Sequence, residues 1–503
     1  MSSPCTRGLL LAALSLLLTN CTRDADPPAE SSPTAASSDC ALTPRVDGPW
    51  YSSITAFEHF DSGRSHTFRC ATFGGAMQGR NTVTATPLDG LYQTPYNLVT
   101  RASGELFVYG GGYGDYPDTP GSFVAKLDGS TLTQTWRTQL FNAPANPQAW
   151  NYPGVVGVHQ NGFVYAVYRT TLAKLDPKSG AVVATTALPF PPPPTGSEND
   201  TNYNGFNGFS DGRIVAKTVN RQVGCTKQGF SAFMDCPDAT SVPPSQVAVV
   251  DPDSMQVLSR VTAAEHIGGR LTTTYYGGRD LLYLPGSTQM FRYVWDGKAL
   301  TLDDKWGPVD YLQPGQTTAT AAAVCGNWVV MQTNSLLSPT PLSVVAMRQS
   351  DAKTVSFQPF AGQGEPNEQS FLPAMLTCDP ANSRVYVMDG GYGLIAGYAL
   401  DQSTGVMTQL WQQRQRTLNF STLVGPADAR VLMASDIKGT YKDLGTYTEE
   451  AVVWRNAATG EELARSNYLP KMAQGALITP GPASATFYLG LAGTIQRLEV
   501  TAR

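Results

Sequence analysis

The stretch 153-PGVVGVHQNGFVYAVYRTTLAKLDPKSGAVVATTALP-189 contains four short apolar segments that are separated by turn residues. Gly162 follows an Asn between the first two segments, and Gly180 closes the run that begins at Asp176. Glycine supplies the positive φ that a hairpin turn needs, and an Asp side chain caps such a turn. The stretch therefore predicts a meander of four antiparallel strands.

The same pattern recurs eight times toward the C-terminus, at intervals of roughly 50 residues. The second segments of the eight units are 105-ELFVYGG, 163-FVYAVYR, 213-RIVAKTV, 280-DLLYLPG, 327-NWVVMQT, 384-RVYVMDG, 430-RVLMASD and 486-TFYLGL. Small residues fill many of the first segments, as in 319-ATAAAV, and these suit the crowded inner wall of a radial array. We predict an all-β fold, a single β-propeller of four-stranded blades. Eight blades are expected, or seven if one unit has been divided wrongly.

The last unit lacks an outer strand, since the chain ends soon after 494-TIQRLEV. An isolated segment near the start, 82-TVTATPL, is similar to the outer strand 182-VVATTALP. We predict that it completes the last blade and closes the ring, because closure removes exposed sheet edges. The predicted organisation is a signal peptide (1–20), a flexible tether (21–39), a segment bracketed by cysteines (40–81) and the propeller (82–503).

The N-terminal sequence predicts that the protein is located outside the cytoplasm. Arg7 precedes a ten-residue apolar run, Leu9 to Leu18, which is too short to span a membrane and is typical of a signal peptide. The run ends in Leu18-Thr19-Asn20-Cys21, which resembles a bacterial lipobox. This resemblance implies lipidation of Cys21 and a membrane partner at the cell envelope. Thr22 in place of Asp favours the outer membrane, and ordinary secretion is the alternative.

The cysteine count agrees with export. Cys5 leaves with the signal peptide and Cys21 takes the lipid, so six of the eight cysteines remain. Six cysteines allow fifteen pairings. Cys225 and Cys236 flank one loop, and Cys325 and Cys378 end equivalent strands of neighbouring blades, which leaves Cys40 with Cys70. Outside the cytoplasm these are expected to be disulfides, and no CxxC motif favours a zinc site instead.

Composition and motifs exclude several functions. The net charge is −5 and no basic block occurs, so no nucleic-acid partner is expected. The segment 208-GFSDG matches a nucleophile motif, but a strand follows it, and we interpret Ser210 as a turn residue. The four histidines are interpreted as single surface or turn residues.

Aromatic and amide residues cluster where the chain enters several innermost strands. These candidate ligand-binding residues are Tyr96, Asn97, Asn151, Tyr152, Asn202, Tyr203, Asn204, Glu265, His266, Arg270, Tyr275 and Tyr276. Tyr and Asn with little charge suit a neutral hydroxylated or planar ligand, or a peptide, at one mouth of the axial channel. The alternative is that they satisfy turn backbones and pack against the blades. Tyr152, Tyr203 and Arg270 are expected to lie in loops that enter innermost strands and to contribute little to blade packing.

Two copies of a motif point to a family. The runs 173-AKLDPKSG and 399-ALDQSTG, the second followed by Trp411, resemble the blade motif of the quinoprotein-alcohol-dehydrogenase-like superfamily. Ala125, Asp128 and Trp136 form a looser copy. The resemblance implies that the motif docks adjacent blades. It also implies two functional classes, since the superfamily contains both quinone-cofactor dehydrogenases and non-catalytic envelope lipoproteins.

Two hypotheses follow. The first is an envelope lipoprotein that binds a ligand or a protein partner at one channel mouth, with no assigned cofactor. The alternative is an extracytoplasmic enzyme at the same mouth, either a quinoprotein-like oxidoreductase or a hydrolase or lyase. Only this alternative calls for pyrroloquinoline quinone (PQQ) or Ca²⁺. The vicinal Cys-Cys pair of many cofactor-holding members does not occur in the sequence.

Overall fold

A computed structural model describes residues 42–88, 95–102, 104–113, 121–236, 242–371, 375–473 and 475–503. Cys21, Cys40, the signal peptide and the tether lie outside these residues, so lipidation and the Cys40–Cys70 bond stay predictions. Across the described ranges, no helix has the length and apolar character needed to cross a membrane.

The N-terminal part holds three short elements, α1 (Pro44–Asp47), β1 (Thr67–Phe68) and β2 (Asn81–Leu88). Four blades follow, each a meander of four antiparallel strands. Blade 1 comprises β3 (Pro95–Thr100), β4 (Glu105–Gly110), β5 (Phe123–Asp128) and β6 (Gln134–Gln139). Blade 2 comprises β7 (Val155–Val158), β8 (Val164–Tyr168), β9 (Thr171–Leu175) and β10 (Val182–Ala187). Blade 3 comprises β11 (Thr201–Gly208), β12 (Ile214–Asn220), β13 (Gln246–Val250) and β14 (Val257–Thr262), with α2 (Ser231–Asp235) inserted after β12. Blade 4 comprises β15 (Thr272–Tyr276), β16 (Arg279–Pro285), β17 (Gln289–Trp295) and β18 (Leu300–Leu302), with β19 (Val309–Asp310) also paired to β17.

The second half repeats the arrangement. Blade 5 comprises β20 (Ala322–Cys325), β21 (Trp328–Gln332), β23 (Val344–Arg348) and β24 (Thr354–Phe357), and β22 (Leu336–Ser338) pairs separately with β25 (Ser370–Phe371). Blade 6 comprises β26 (Thr377–Asp379), β27 (Arg384–Asp389), β28 (Leu394–Leu400) and β29 (Met407–Arg414). Blade 7 comprises β30 (Thr422–Val424), β31 (Val431–Ile437), β32 (Glu449–Asn456) and β33 (Glu462–Arg465), with β34 (Leu469–Pro470) beside β32. Blade 8 comprises β35 (Thr479–Pro480), β36 (Thr486–Leu489), β37 (Ile495–Ala502) and, from the N-terminal part, β2.

The predicted ring closure is confirmed. Strand β2 pairs antiparallel with β37 along its whole length, from Asn81 opposite Ala502 to Leu88 opposite Ile495. The outer strand of blade 8 therefore comes from the opposite end of the chain, and the number of blades is eight rather than seven.

Tryptophans dock one blade on the turn of the next, as the family motif implied. The indole of Trp411 donates to the carbonyl of Ala457 at 2.9 Å and lies against Gly460. A Cβ atom at Gly460 would come within 2.7 Å of the indole ring, so the turn requires glycine. Trp328 packs in the same way on Gly405 and donates to the carbonyl of Gln402 at 3.0 Å.

Two of the three predicted disulfides are present. Cys225 is bonded to Cys236 within the insertion of blade 3. Cys325 at the end of β20 is bonded to Cys378 in β26, so this disulfide joins the innermost strands of blades 5 and 6. Cys70, predicted to pair with Cys40, is half-buried.

Residues 47–71, here called the axial segment, fill the centre of the ring. Its carbonyl oxygens accept hydrogen bonds from backbone N–H groups of successive innermost strands. The pairs are Thr100 to Thr55 (2.7 Å), Val158 to Ala56 (2.8 Å), Thr273 to Ser62 (3.0 Å), Val324 to Gly63 (2.7 Å), Cys378 to Ser65 (2.9 Å) and Leu423 to His66 (2.8 Å). Side chains complete the set, since Asn207 of blade 3 donates to Ser62 (2.8 Å) and Thr55 donates to the Pro480 carbonyl of blade 8 (2.7 Å). The segment thus contacts all eight blades and satisfies polar groups that would otherwise line a channel.

Candidate functional site

The ring has two ends, defined by its connections. At the crossover end the chain passes from one blade into the innermost strand of the next, as at Tyr96 and Arg270. At the hairpin end each innermost strand turns into the second strand, as at Gly277 and Gly326. The predicted site residues divide between these two ends, whereas the sequence placed them together at one mouth.

A buried ion cluster lies beneath the crossover end. Glu58 of the axial segment accepts from Arg270 at 2.8 Å and from Arg64 at 3.2 Å. Arg270 also donates to the hydroxyl of Tyr96 at 2.9 Å and to the carbonyl of Asn204. Burial would raise the pKa of Glu58, but Arg270, His59 and Arg64 together hold it well below its usual value. Arg270, Tyr96 and Asn204 therefore lie together, next to an internal carboxylate.

The histidines correct the sequence interpretation. His59 and His66 are fully buried in the axial segment, and Nδ1 of His59 is hydrogen-bonded to Nε2 of His66. His66 donates from Nδ1 to the carbonyl of Ser421 at 3.0 Å. Burial lowers the pKa of His59 to about 4 and that of His66 well below its usual value. His159 is also buried, and His266 is partly exposed and accepts from the backbone N–H of Asn220 at 3.2 Å.

The other predicted residues at the crossover end mostly satisfy backbone groups. Asn97 exchanges two hydrogen bonds with the backbone of Val156, which ties blade 1 to blade 2. Asn202 donates to the carbonyl of Trp150 at 2.8 Å, and Tyr203 donates to that of Pro189 at 2.6 Å.

These side chains are buried, so the expectation that Tyr152, Tyr203 and Arg270 contribute little to blade packing is wrong. The buried set is Tyr96, Asn97, Asn151, Tyr152, Asn202, Tyr203, Asn204 and Arg270. Glu265 stays partly exposed and accepts from the backbone of Thr288 at 2.8 Å.

Ser210 is a turn residue, as the sequence predicted. It lies between β11 and β12, and both its backbone N–H and its hydroxyl donate to Asp280 at 2.8 Å. The Ser210 hydroxyl is therefore hydrogen-bonded to the carboxylate of Asp280 in β16.

Tyr275 and Tyr276 lie at the hairpin end. They are the last residues of β15, whereas Arg270 precedes that strand. Both are half-buried and line a cavity of about 370 Å³, here called the hairpin-end cavity. Its lining residues are Arg45, Val46, Asp47, Asp61, Gly63, Ser65, Thr67, Arg69, Thr274, Tyr275, Tyr276, Val324, Gly326, Gln349, Pro380, Ala381 and Arg430. The floor comes from the axial segment, and the walls come from α1 and blades 4 to 7.

The hairpin-end cavity contains both free and paired charges. Arg69 binds both carboxylate oxygens of Asp47, at 2.7 and 2.8 Å. Asp61 accepts from the backbone N–H of Ser65 at 2.9 Å and from its hydroxyl at 2.5 Å. Burial raises the pKa of Asp61 to about 7, against the opposing hydrogen bonds from Ser65. Asp61 is therefore a carboxyl group that exchanges its proton near neutral pH.

Arg430 provides a further polar group on the cavity wall. Its side chain is only 5% exposed, and its Nε atom lies 3.5 Å from a carboxylate oxygen of Asp379. This Nε atom makes no hydrogen bond. Asp61 and Arg430 were not among the residues selected from the sequence.

Comparisons with known proteins identify the fold. No protein-family model matches the sequence, and no curated protein matches it. Among solved structures, the quinohemoprotein alcohol dehydrogenase from Comamonas testosteroni is 11% identical, with a TM-score of 0.55 over 90% of this chain and 81% of that one. A europium-containing methanol dehydrogenase is 8% identical, with a TM-score of 0.54 over 89% and 98%. The alcohol dehydrogenase ADHIIG from Pseudomonas putida HK5 is 9% identical, with a TM-score of 0.50 over 87% and 79%.

The chain has the quinoprotein-type propeller fold. At these identities the likeness establishes the fold alone, and function has to be argued from the site. The propeller fold that the blade motifs predicted is confirmed.

An axial quinone does not fit the residues present. A planar cofactor on the axis would need the space that the axial segment fills, where Phe57 stacks on Trp50 with ring centroids 3.9 Å apart. Glu58, His59 and Arg64 occupy the same interior with ion pairs of their own. Within the described ranges, no three His, Cys, Asp or Glu side chains are grouped as metal ligands.

Proposed function

We propose that this chain is a cell-envelope lipoprotein whose sealed propeller binds a ligand or a partner at the hairpin end of its axis. One observation carries the proposal: the axial segment is hydrogen-bonded to all eight blades. The axis is thereby filled by the chain itself, and the cavity at the hairpin end is left as the open concave site beside it.

The envelope address is supported by the cysteines. Two disulfides join Cys225 to Cys236 and Cys325 to Cys378, as suits an oxidising compartment. The lipobox-like run before Cys21 supports a lipid anchor on that cysteine. The enzymatic alternative gains no support from the ion cluster, because Glu58, His59 and Arg270 are buried away from substrate.

The protein isolated from its native envelope tests this proposal. We expect an intact mass that includes a lipid on Cys21, and an absorption spectrum without a visible chromophore. Cys21→Ser should move the protein from the membrane fraction to the soluble fraction, because the anchor is then lost. Cys5→Ser is the matched control, since this cysteine lies in the removed signal peptide and its loss should leave the protein on the membrane.

Two results would contradict the proposal. A stoichiometric quinone or haem spectrum would favour the oxidoreductase alternative. An unchanged membrane fraction in Cys21→Ser would remove the lipoprotein assignment.

A further inference from the structure

We infer that the hairpin-end cavity binds an uncharged, polyhydroxylated ligand of the saccharide class. The inference rests on the proposed function, because it names the ligand for the same site. The cavity of about 370 Å³ falls in the range of small-ligand sites. Its position at the end of a filled axis makes it closed on the inner side and open on the outer side.

The charges around the cavity favour a neutral ligand. Three guanidinium groups (Arg45, Arg69 and Arg430) are accompanied by three carboxyl groups (Asp47, Asp61 and Asp379). Asp47 and Arg69 neutralise each other through two hydrogen bonds, and Asp379 lies 3.5 Å from Arg430. Arg45 is exposed and its charge is already solvated, so a charged ligand would lose its water of hydration without gaining a buried unpaired charge. An uncharged ligand avoids that loss.

The polar groups of the cavity suit hydroxyl groups. Arg430 lines the cavity with a guanidinium group whose Nε atom lies 3.5 Å from Asp379 without a hydrogen bond. Asp61 presents a carboxyl group, which accepts when ionised and can also donate when protonated. A hydroxyl both donates and accepts, so adjacent hydroxyls of one molecule can serve a guanidinium donor and a carboxyl together.

Two aromatic rings supply the apolar part of the site. Tyr275 and Tyr276 are half-buried and both contribute to the lining of the cavity. The guanidinium of Arg45 lies 5.2 Å from the ring centroid of Tyr275, within the range of a cation–π contact. Flat aromatic surface with a few convergent polar groups is what an orienting small-molecule site requires. A sugar ring offers an apolar face to such rings and hydroxyls at its rim.

Calorimetric titration of the purified protein tests the inference. The neutral probes are maltose, cellobiose and N,N′-diacetylchitobiose, and the charged probes are glucuronate and glucosamine. At least one neutral disaccharide should bind with a Kd in the millimolar range or tighter, and both charged probes should bind at least tenfold more weakly. Tyr276→Ala and Tyr275→Ala should each weaken the neutral probe at least tenfold.

Tyr51→Ala is the matched control. Arg101 lies 5.1 Å from the ring centroid of half-buried Tyr51, which reproduces the Arg45–Tyr275 contact outside the cavity. Tyr51→Ala should bind the neutral probe with the same affinity as the unmodified protein. Thermal unfolding of all three variants checks that they are folded.

The inference is overturned if none of the three neutral disaccharides binds, or if binding is the same in both cavity variants as in Tyr51→Ala. Tighter binding of a charged probe, lost in Tyr276→Ala, would also overturn it. That last result would leave the proposed function intact. The proposed function fails separately, if the isolated protein shows a quinone or haem chromophore or an intact mass without the lipid.

Discussion

At the scale of the residue, Glu58 is the group on which the interior depends most. One buried carboxylate holds Arg64 of its own segment and Arg270, which precedes β15 of blade 4. Both guanidinium groups are at most 4% exposed. Loss of the carboxylate would leave these two buried cations without a counter-charge.

Glu58→Gln should therefore lower the free energy of unfolding by about 3–5 kcal/mol, the usual cost of breaking a buried ion pair. Chemical denaturation measures this. Glu365→Gln is the control, because the Glu365–Arg414 pair is about 60% exposed on both sides and should contribute at most about 1 kcal/mol. Equal losses in the two variants would show that the cluster does not stabilise the ring.

The raised pKa of Asp61 predicts that the stability of the protein depends on pH. Its pKa of about 7 in the folded protein lies above that of an unfolded Asp, about 3.9. Between these values the folded state binds more protons, so the Asp61 contribution to stability falls as pH rises and is fully lost above about 7. Asp61→Asn removes this contribution.

Relative to the unmodified protein, Asp61→Asn should become more stable as pH rises from about 4 to 7, and the difference should then level off. The rise should be up to about 1.4 kcal/mol per unit of pKa shift. The difference between the two proteins is the quantity to measure, because the lowered pKa values of buried His59 and His66 also make the stability depend on pH. Exposed Asp428→Asn is the control for the substitution itself. A flat difference for Asp61→Asn would contradict the shifted pKa.

At the scale of the element, the Cys325–Cys378 disulfide holds two innermost strands side by side. Its chain separation is 53 residues, against 11 for Cys225–Cys236 within one insertion. A longer closed loop restricts the unfolded chain more.

Replacing both Cys325 and Cys378 by Ala should lower the free energy of unfolding by about 2–5 kcal/mol. The same change at Cys225 and Cys236 should cost roughly 1 kcal/mol less, because its loop is shorter. Denaturant titration of both double variants gives the comparison. A larger loss for the shorter loop would show that local packing, and not chain restriction, determines the effect.

Elements with local signals were predicted from the sequence, and elements with distant partners were not. Gly162 and Gly180 mark turns within one blade, so the meanders follow from neighbouring residues. Strand β2 was predicted because blade 8 lacked a strand. The axial segment has no such signal: Thr55 bonds to Pro480, 425 positions away.

The candidate site shows the same limit. Tyr275 and Tyr276 were selected by composition, but β15 carries them to the far end from Arg270. Asp61 was missed because it belongs to the segment that seemed to precede the fold. The clue in 57-FEHFDSGRSHTFR is the mixing of charged and aromatic residues without strand alternation, and this indicates an irregular buried segment.

At the scale of the whole molecule, the N-terminal part both fills and closes the ring. A chain beginning at residue 39 keeps Cys40, the axial segment and β2, and it should be a monomer of unchanged melting temperature. A chain beginning at residue 72 keeps β2 but exposes the inner N–H groups, and its melting temperature should fall. A chain beginning at residue 89 also loses β2, leaves β37 as an open edge and should aggregate.

Light scattering after size exclusion distinguishes these outcomes. A well-folded monomer from residue 89 onward would contradict closure by β2. A melting temperature unchanged at residue 72 would show that the axial segment adds nothing to the ring.

The pairing of β2 with β37 also constrains the order of events when the chain is made. Residues 81–88 emerge first but have no partner until residues 495–502 follow. Folding from the N-terminus onward therefore cannot finish blade 8, and the contact order of the closing step is close to the maximum that the length allows. Until then the newly made chain is an open arc with two bare edges, in which self-association competes with closure. The yield of folded protein should accordingly respond to protein concentration more steeply than to any single stabilising contact.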